Sequence, residues 1–155
     1  MRFSSTELET QLEQVRDLEG RLTFRLSVLS KMLDQQGQEI LKDTPLNLTS
    51  YRVMLVVETF GAISISDISR FTALDRAQIS RTAEALGRSG MVSFSADPNS
   101  KRKKIVSLTA DGSALLGQIK PRFAERDRML AECLGPEMYE ALQQGLVKLG
   151  AVLSN

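Results

Sequence analysis

Asp75-Arg76-Ala77-Gln78-Ile79-Ser80-Arg81-Thr82-Ala83-Glu84-Ala85-Leu86-Gly87-Arg88-Ser89-Gly90, running straight into Met91-Val92-Ser93-Phe94-Ser95, is the stretch on which the fold turns. Asp75 has the side chain of an N-cap, and Gly90 is a helix stop, so the spacing predicts a helix over residues 76–89. Ile79, Ala83 and Leu86 recur at helical steps and should face a core, which leaves Arg76, Ala77, Gln78, Ser80 and Arg81 outward. The five residues after Gly90 alternate like a strand. Asp97-Pro98-Asn99-Ser100 reads as a turn, and Lys104-Ile105-Val106-Ser107-Leu108 as the strand that returns from it.

Upstream, Thr72-Ala73-Leu74 makes a tight connection to a helix of one to two turns over residues 67–71, for which Ser66 is the expected cap. Before it come a brief extended segment, residues 63–65, and Gly61. Gly61 closes a helix over residues 50–60 with Thr49 at its cap and Val53, Met54, Val56 and Val57 on its apolar face. Helix, turn, helix and then a hairpin is the order of a winged helix-turn-helix.

The flanks are helical. Leu8, Leu12, Val15, Leu18, Leu22, Leu26, Leu29, Leu33, Gln36 and Ile40 recur at steps of three and four, which predicts one long amphipathic helix ended by Asp43-Thr44-Pro45. It would span roughly 45 Å at 1.5 Å per residue, more than a small core covers, so its stripe calls for a partner chain. On the other side Thr109 is placed to cap a helix over residues 111–133 that Pro121 should kink or divide. Gly135-Pro136 opens a last helix in which Met138, Leu142, Leu146, Leu149 and Leu153 repeat. The expected fold is mainly α with a small β-hairpin wing (α+β). Residues 1–47 would form an N-terminal dimerisation helix, 48–109 a winged helix-turn-helix, and 110–155 the C-terminal dimerisation helices.

The 155 residues carry a formal charge of only +1, yet the charge is unevenly placed. Residues 1–48 sum to −2, residues 49–108 to +4, and the remainder to −1. A basic centre between acidic ends is the pattern of a polyanion-binding module with separate assembly helices. With no His and a lone Cys133, the usual zinc sites, His-based triads and an intramolecular disulfide are excluded. No phosphate loop, nucleophile elbow or paired carboxylates stand out, so neither enzymatic activity nor a cofactor or metal is expected. No stretch is long and apolar enough to span a membrane, and the opening MRFSSTELETQLEQ lacks a signal peptide's apolar run. The expected location is the cytoplasm.

Leu48-Thr49-Ser50-Tyr51-Arg52-Val53-Met54-Leu55, Ile68-Ser69-Arg70-Phe71, Asp75 to Arg81, Gly90-Met91-Val92, Asp97-Pro98-Asn99-Ser100-Lys101-Arg102 and Val106-Ser107-Leu108-Thr109-Ala110-Asp111-Gly112 together resemble the MarR family of bacterial regulators. The resemblance runs in order over nearly the whole chain, and its strand-Leu-Thr-x-x-Gly ending is its most specific part. It implies a homodimer, built by interleaving the first and last two helices of both chains, that binds a near-palindromic double-stranded DNA operator as a repressor responsive to a small ligand. The wing carries one departure: many members have Asp where this chain has Ser100, and that Asp orients the wing Arg, here Arg102.

Under that reading the outward residues Arg76, Ala77, Gln78, Ser80 and Arg81 meet base edges in the major groove, where Arg suits guanine and Gln suits adenine. Arg102 enters the minor groove, while Lys101, Lys103, Lys104, Ser66 and Arg88 contact phosphates. The family's effector is commonly an aromatic or phenolic acid held between the dimer helices and the DNA-binding lobe, for which Phe24, Arg25, Tyr51, Arg52 and Phe60 are the candidates. Two alternatives stand beside it: a thiol-based redox regulator using Cys133, and a winged-helix protein interaction module. Cys133, next to Leu134, reads as a buried small hydrophobe.

Overall fold

The computed structural model of the chain describes residues 5–97 and 100–153, with side chains described for 10–97 and 103–153. It divides into two compact units, Met1–Leu48 and Thr49–Asn155.

In the first unit the expected long helix is two, α1 (Ser5–Gly20) and α2 (Leu22–Leu41). Arg21 leaves the helical region with φ −74° and ψ 119°. The break falls directly after Gly20, a residue that holds a helix poorly. It frees carbonyls at the end of α1, and the Arg25 guanidinium donates to one of them, that of Glu19. Arg21 also reaches back to Asp17 at 2.8 Å. At the far end Thr44 donates its hydroxyl to the Leu41 carbonyl at 2.8 Å and accepts from the Leu46 amide, turning the chain out of α2. Gly37, Leu41, Leu46 and Leu48 are buried, while Leu12, Val15, Leu18, Leu22, Val28, Leu29 and Met32 lie in solvent.

The second unit is built on α3 (Leu48–Phe60), β1 (Ile63–Ser64), α4 (Ile65–Thr72), α5 (Arg76–Arg88), β2 (Val92–Asp97), β3 (Ser100–Leu108), α6 (Ala110–Leu134) and α7 (Pro136–Leu153). Helix α3 begins two residues earlier than expected, so Thr49 is already inside its first turn rather than at its cap. Ser64, and not Ser66, caps α4: its hydroxyl oxygen accepts from the Asp67 amide and its O–H donates to the Asp67 carboxylate at 2.6 Å. Ala73 then turns the chain in the left-handed region (φ 53°), held by the Ser69 hydroxyl donating to the Leu74 carbonyl.

Asp75 caps α5, accepting from the amides of Ala77 (2.9 Å) and Gln78 (3.1 Å). Ile79, Ala83 and Leu86 are buried on its inner face. The helix closes in a Schellman motif in which Gly90 (φ +77°) bonds back to Gly87 and Met91 to Leu86. That geometry delivers the chain directly into β2.

The sheet has the order β1-β3-β2, antiparallel throughout. Phe94 lies opposite Val106 and Ala96 opposite Lys104, but the next pairing is Asp97 with Ser100. Residues 101–103 therefore fall opposite no residue of β2. Strand β3 is longer than expected because the basic run itself is strand, bulged at the wing.

Thr109 joins the sheet to α6. Its hydroxyl oxygen accepts from the Gly112 amide at 3.0 Å and its O–H donates to the Gly90 carbonyl at 2.6 Å, while its own amide bonds the Met91 carbonyl. A Cβ on Gly112 would lie 2.0 Å from the Met91 carbonyl oxygen, so glycine is required there by space. Helix α6 runs unbroken through Pro121 rather than dividing. Both Pro121 and Gly117, whose carbonyl loses its partner, are exposed, and water can satisfy that acceptor. Leu116, Ile119 and Phe123 are buried, but Met129 and Leu130 further along α6 are exposed, and α7 buries nothing. Cys133 is exposed, not buried: the face carrying Leu116, Ile119 and Phe123 returns at Leu130 and Leu134, and Cys133 lies off it.

Candidate nucleic-acid interface

The inner face of α5 is fully packed, and this decides which of its side chains meet solvent. Arg76, Ala77, Arg81 and Arg88 are exposed, and Gln78 and Ser80 half-buried. Arg76, Ala77, Gln78, Ser80 and Arg81 stand within two turns of the capped N-terminus, with Gln78 and Ser80 less open than their expected outward placement, and Arg88 lies in the last turn. Glu84 shares this surface and accepts from the Ser80 hydroxyl at 3.4 Å, a partnership the sequence reading did not anticipate.

Three elements converge beside that face. A recess of about 180 Å³ is lined by Ser64, Ile65 and Ser66 at the start of α4, by Arg76 and Ser80 of α5, and by Lys103 and Lys104 of β3. Three cations and three hydroxyls meet there, with no carboxylate among the described lining residues. A cavity of that chemistry fits a phosphate group, whose oxygens take charged and neutral donors together. Arg88, in the last turn of α5, does not line it. The side chains of Lys101 and Arg102 lie outside the described residues.

Ser64 was missed as a site residue, although Ser64-x-x-Asp67 is a capping-box spacing legible in the sequence. The Ser64 hydroxyl bond, helped by the charges of Arg70 and Lys103, holds the Asp67 carboxyl below the usual carboxylate range. Asp67 thus stays ionised and occupied at neutral pH. Asp67 lines a second recess of about 290 Å³ with Phe60, Ala62, Ile63, Ser64, Phe71, Asp97, Lys103 and Ile105, and Ser64 and Lys103 border both recesses.

The five effector candidates are not placed alike. Phe24 and Arg25 share a recess of about 310 Å³ in the first unit with Glu19, Val28, Leu29 and Met32. Tyr51 is buried and stacked on Phe123, with ring centroids 4.1 Å apart at 9°; burial pushes its phenol up in pKa. Arg126 lies over the Phe123 ring at 5.0 Å. Phe60 is half exposed and packs on Phe71 at 4.5 Å, and Arg52 is exposed. Among the described residues no group of three His, Cys, Asp or Glu side chains is arranged to hold a metal, and no helix is long and apolar enough to cross a membrane.

Residues 46–104 match the model of the MarR family. The transcriptional regulator Hpr of Geobacillus thermodenitrificans is 24% identical over 74% of this chain and 57% of its own length. The transcriptional repressor NicR of Pseudomonas putida is 33% identical over 51% of this chain and 50% of its own. The chain thus spans little more than half the length of these curated relatives. Among solved structures, Bordetella bronchiseptica BpsR, whose DNA binding is regulated by 6-hydroxynicotinic acid, superimposes with a TM-score of 0.77 at 25% identity, covering 85% of this chain and 94% of that one. Residues 46–104, which carry the capped helix α5 and the basic part of the bulged wing, are thus similar to the domain of the MarR family, and the chain shares the fold of the solved structure it superimposes on.

Proposed function

We propose that the protein is a sequence-specific, ligand-responsive transcriptional repressor that binds a near-palindromic DNA operator as a homodimer in the cytoplasm, and that it is not an enzyme. The observation that carries this reading is the recess in which Ser66, Arg76, Ser80, Lys103 and Lys104, drawn from three elements, converge beside the exposed start of α5. Helix α5 enters the major groove, with Arg76, Gln78 and Arg81 toward base edges and the Ala77 methyl available to thymine. The wing follows the backbone, with Arg102 in the minor groove. Two copies are required because one recognition helix reads too few base pairs to find its site in a genome. The exposed apolar faces of α1, α2 and α7 support that assembly.

The effector is a small aromatic or phenolic acid. BpsR, which responds to a hydroxylated aromatic acid, supports this class. The recess of Phe24, Arg25, Val28, Leu29 and Met32 offers the matching chemistry of an apolar wall with a guanidinium at its edge.

Fluorescence anisotropy against labelled duplexes tests the reading. Arg81→Ala should cost about 1–3 kcal/mol on the operator and relax its specificity. Arg102→Ala should weaken binding markedly with the fold intact. If the purified protein retains no duplex of any sequence at modest ionic strength, the proposal fails.

A further inference from the structure

We propose that Phe94 is a positioning residue for DNA binding: its ring, seated on the bare backbone of Gly87, aims the Lys104 ammonium into the cationic recess. The inference rests on the DNA-binding reading and adds to it a device that couples wing to recognition helix. Phe94, Ala96, Lys104 and Val106 share one face of the hairpin, since Phe94 pairs with Val106 and Ala96 with Lys104. Val106 is completely buried and anchors that face to the core. Phe94 is 40% exposed, an unusual placement for a phenylalanine on the inward side of a sheet.

Two contacts account for it. A Cβ on Gly87 would come within 2.6 Å of Phe94 Cε2 and 3.4 Å of Cζ, so the ring occupies the space that glycine leaves open in the last turns of α5. The Lys104 ammonium stands over the same ring, 5.7 Å from its centroid. A free lysine loses much rotamer freedom when it grips a phosphate, and a ring that attracts the ammonium reduces that loss beforehand. Lys104 shares its recess with Arg76 and Ser80, so the ring registers a wing cation against the helix that reads bases.

The test uses the full chain and a mixed-sequence duplex, titrated at several NaCl concentrations. Lys104→Gln should weaken binding about 3- to 10-fold and reduce the slope of log K against log salt by about one, the mark of one lost phosphate contact. Phe94→Leu should reproduce both effects, and the double variant should be no weaker than Lys104→Gln alone. Gly87→Ala, which drives the ring from its seat, should behave like Phe94→Leu. Phe94→Tyr, which keeps the ring, should retain wild-type affinity and slope. Circular dichroism melts identify any variant that fails to fold, and the Tyr variant keeps the comparison informative. Multiplicative losses for Phe94→Leu and Lys104→Gln, or an unchanged slope in either, would overturn the proposal. Failure of the wild-type chain to bind duplex would instead overturn the DNA-binding reading beneath it.

Discussion

The first half of α6 and the last helix, α7, are both amphipathic, yet they stand in opposite surroundings. Leu116 and Ile119 are sealed in a core with Val53, Met54, Ile68, Ile79 and Val106, all supplied by the second unit itself. On α7, Met138, Leu142, Leu146 and Val147 are exposed, Val147 at 73%. An apolar stripe of that length stays in water only at a cost of roughly 25 cal/mol for each Å². The contrast separates a region whose apolar residues are sealed within the chain from one whose apolar face is left open, as the proposed dimer requires, with α1 and α2 resembling α7 in this respect.

The largest effect expected on that contrast is in the sealed region. Met54→Ala should lower stability by about 2–5 kcal/mol, through lost burial and a residual cavity. Chemical denaturation should give the same loss at every protein concentration, and a loss that varies with concentration would break the distinction. Leu142→Glu with Leu146→Glu should leave the winged helix folded but dissociate the dimer in sedimentation, weakening duplex binding about 10- to 100-fold, or roughly 1.4–2.7 kcal/mol. A double variant that sediments as a dimer would show that α7 is not the interface.

Gly112→Ala sharpens the boundary between the regions. The added methyl would press on the Met91 carbonyl, which as backbone cannot swing aside, and a loss of about 1–3 kcal/mol should appear in thermal melts. A neutral result would mean that the joint yields. The smallest effect is expected for Cys133→Ser on the exposed half of α6, within about 0.5 kcal/mol by the same melts and with no change in duplex affinity after peroxide treatment. A response to peroxide that vanishes in this variant would instead favour the redox alternative.

The winged helix was legible because its signals are local and agree with one another. Asp75, the 79-83-86 spacing and Gly90 each point to the same helix, and the structure uses all three. Where the reading slipped, a local signal had two solutions. Ser64 and Ser66 both precede the same short helix, and only the carboxylate of Asp67, three residues after Ser64, selects between them. The leucine steps of the N-terminal region continue in phase past Gly20, so periodicity did not register the break at Arg21. Cys133 was judged by its neighbour Leu134, although residues adjacent in a helix point about 100° apart. For the candidate interface, the exposed residues of α5 followed from its buried ones. The roles of Gly87 and Phe94 did not, because their contact joins a helix and a strand by a shape that no spacing records.

Helix α6 has a mechanical consequence. It is a single span of 25 residues whose root is bonded through Thr109 to the turn that closes α5, while its tip belongs to the exposed apolar region. At 1.5 Å per residue the span measures roughly 37 Å, so a tilt of about 5° at the root carries the tip sideways by about 3 Å. Such a rod is a lever arm. Pro121, lacking an amide proton midway along, leaves the Gly117 carbonyl without its helical partner, and the shaft is softest there.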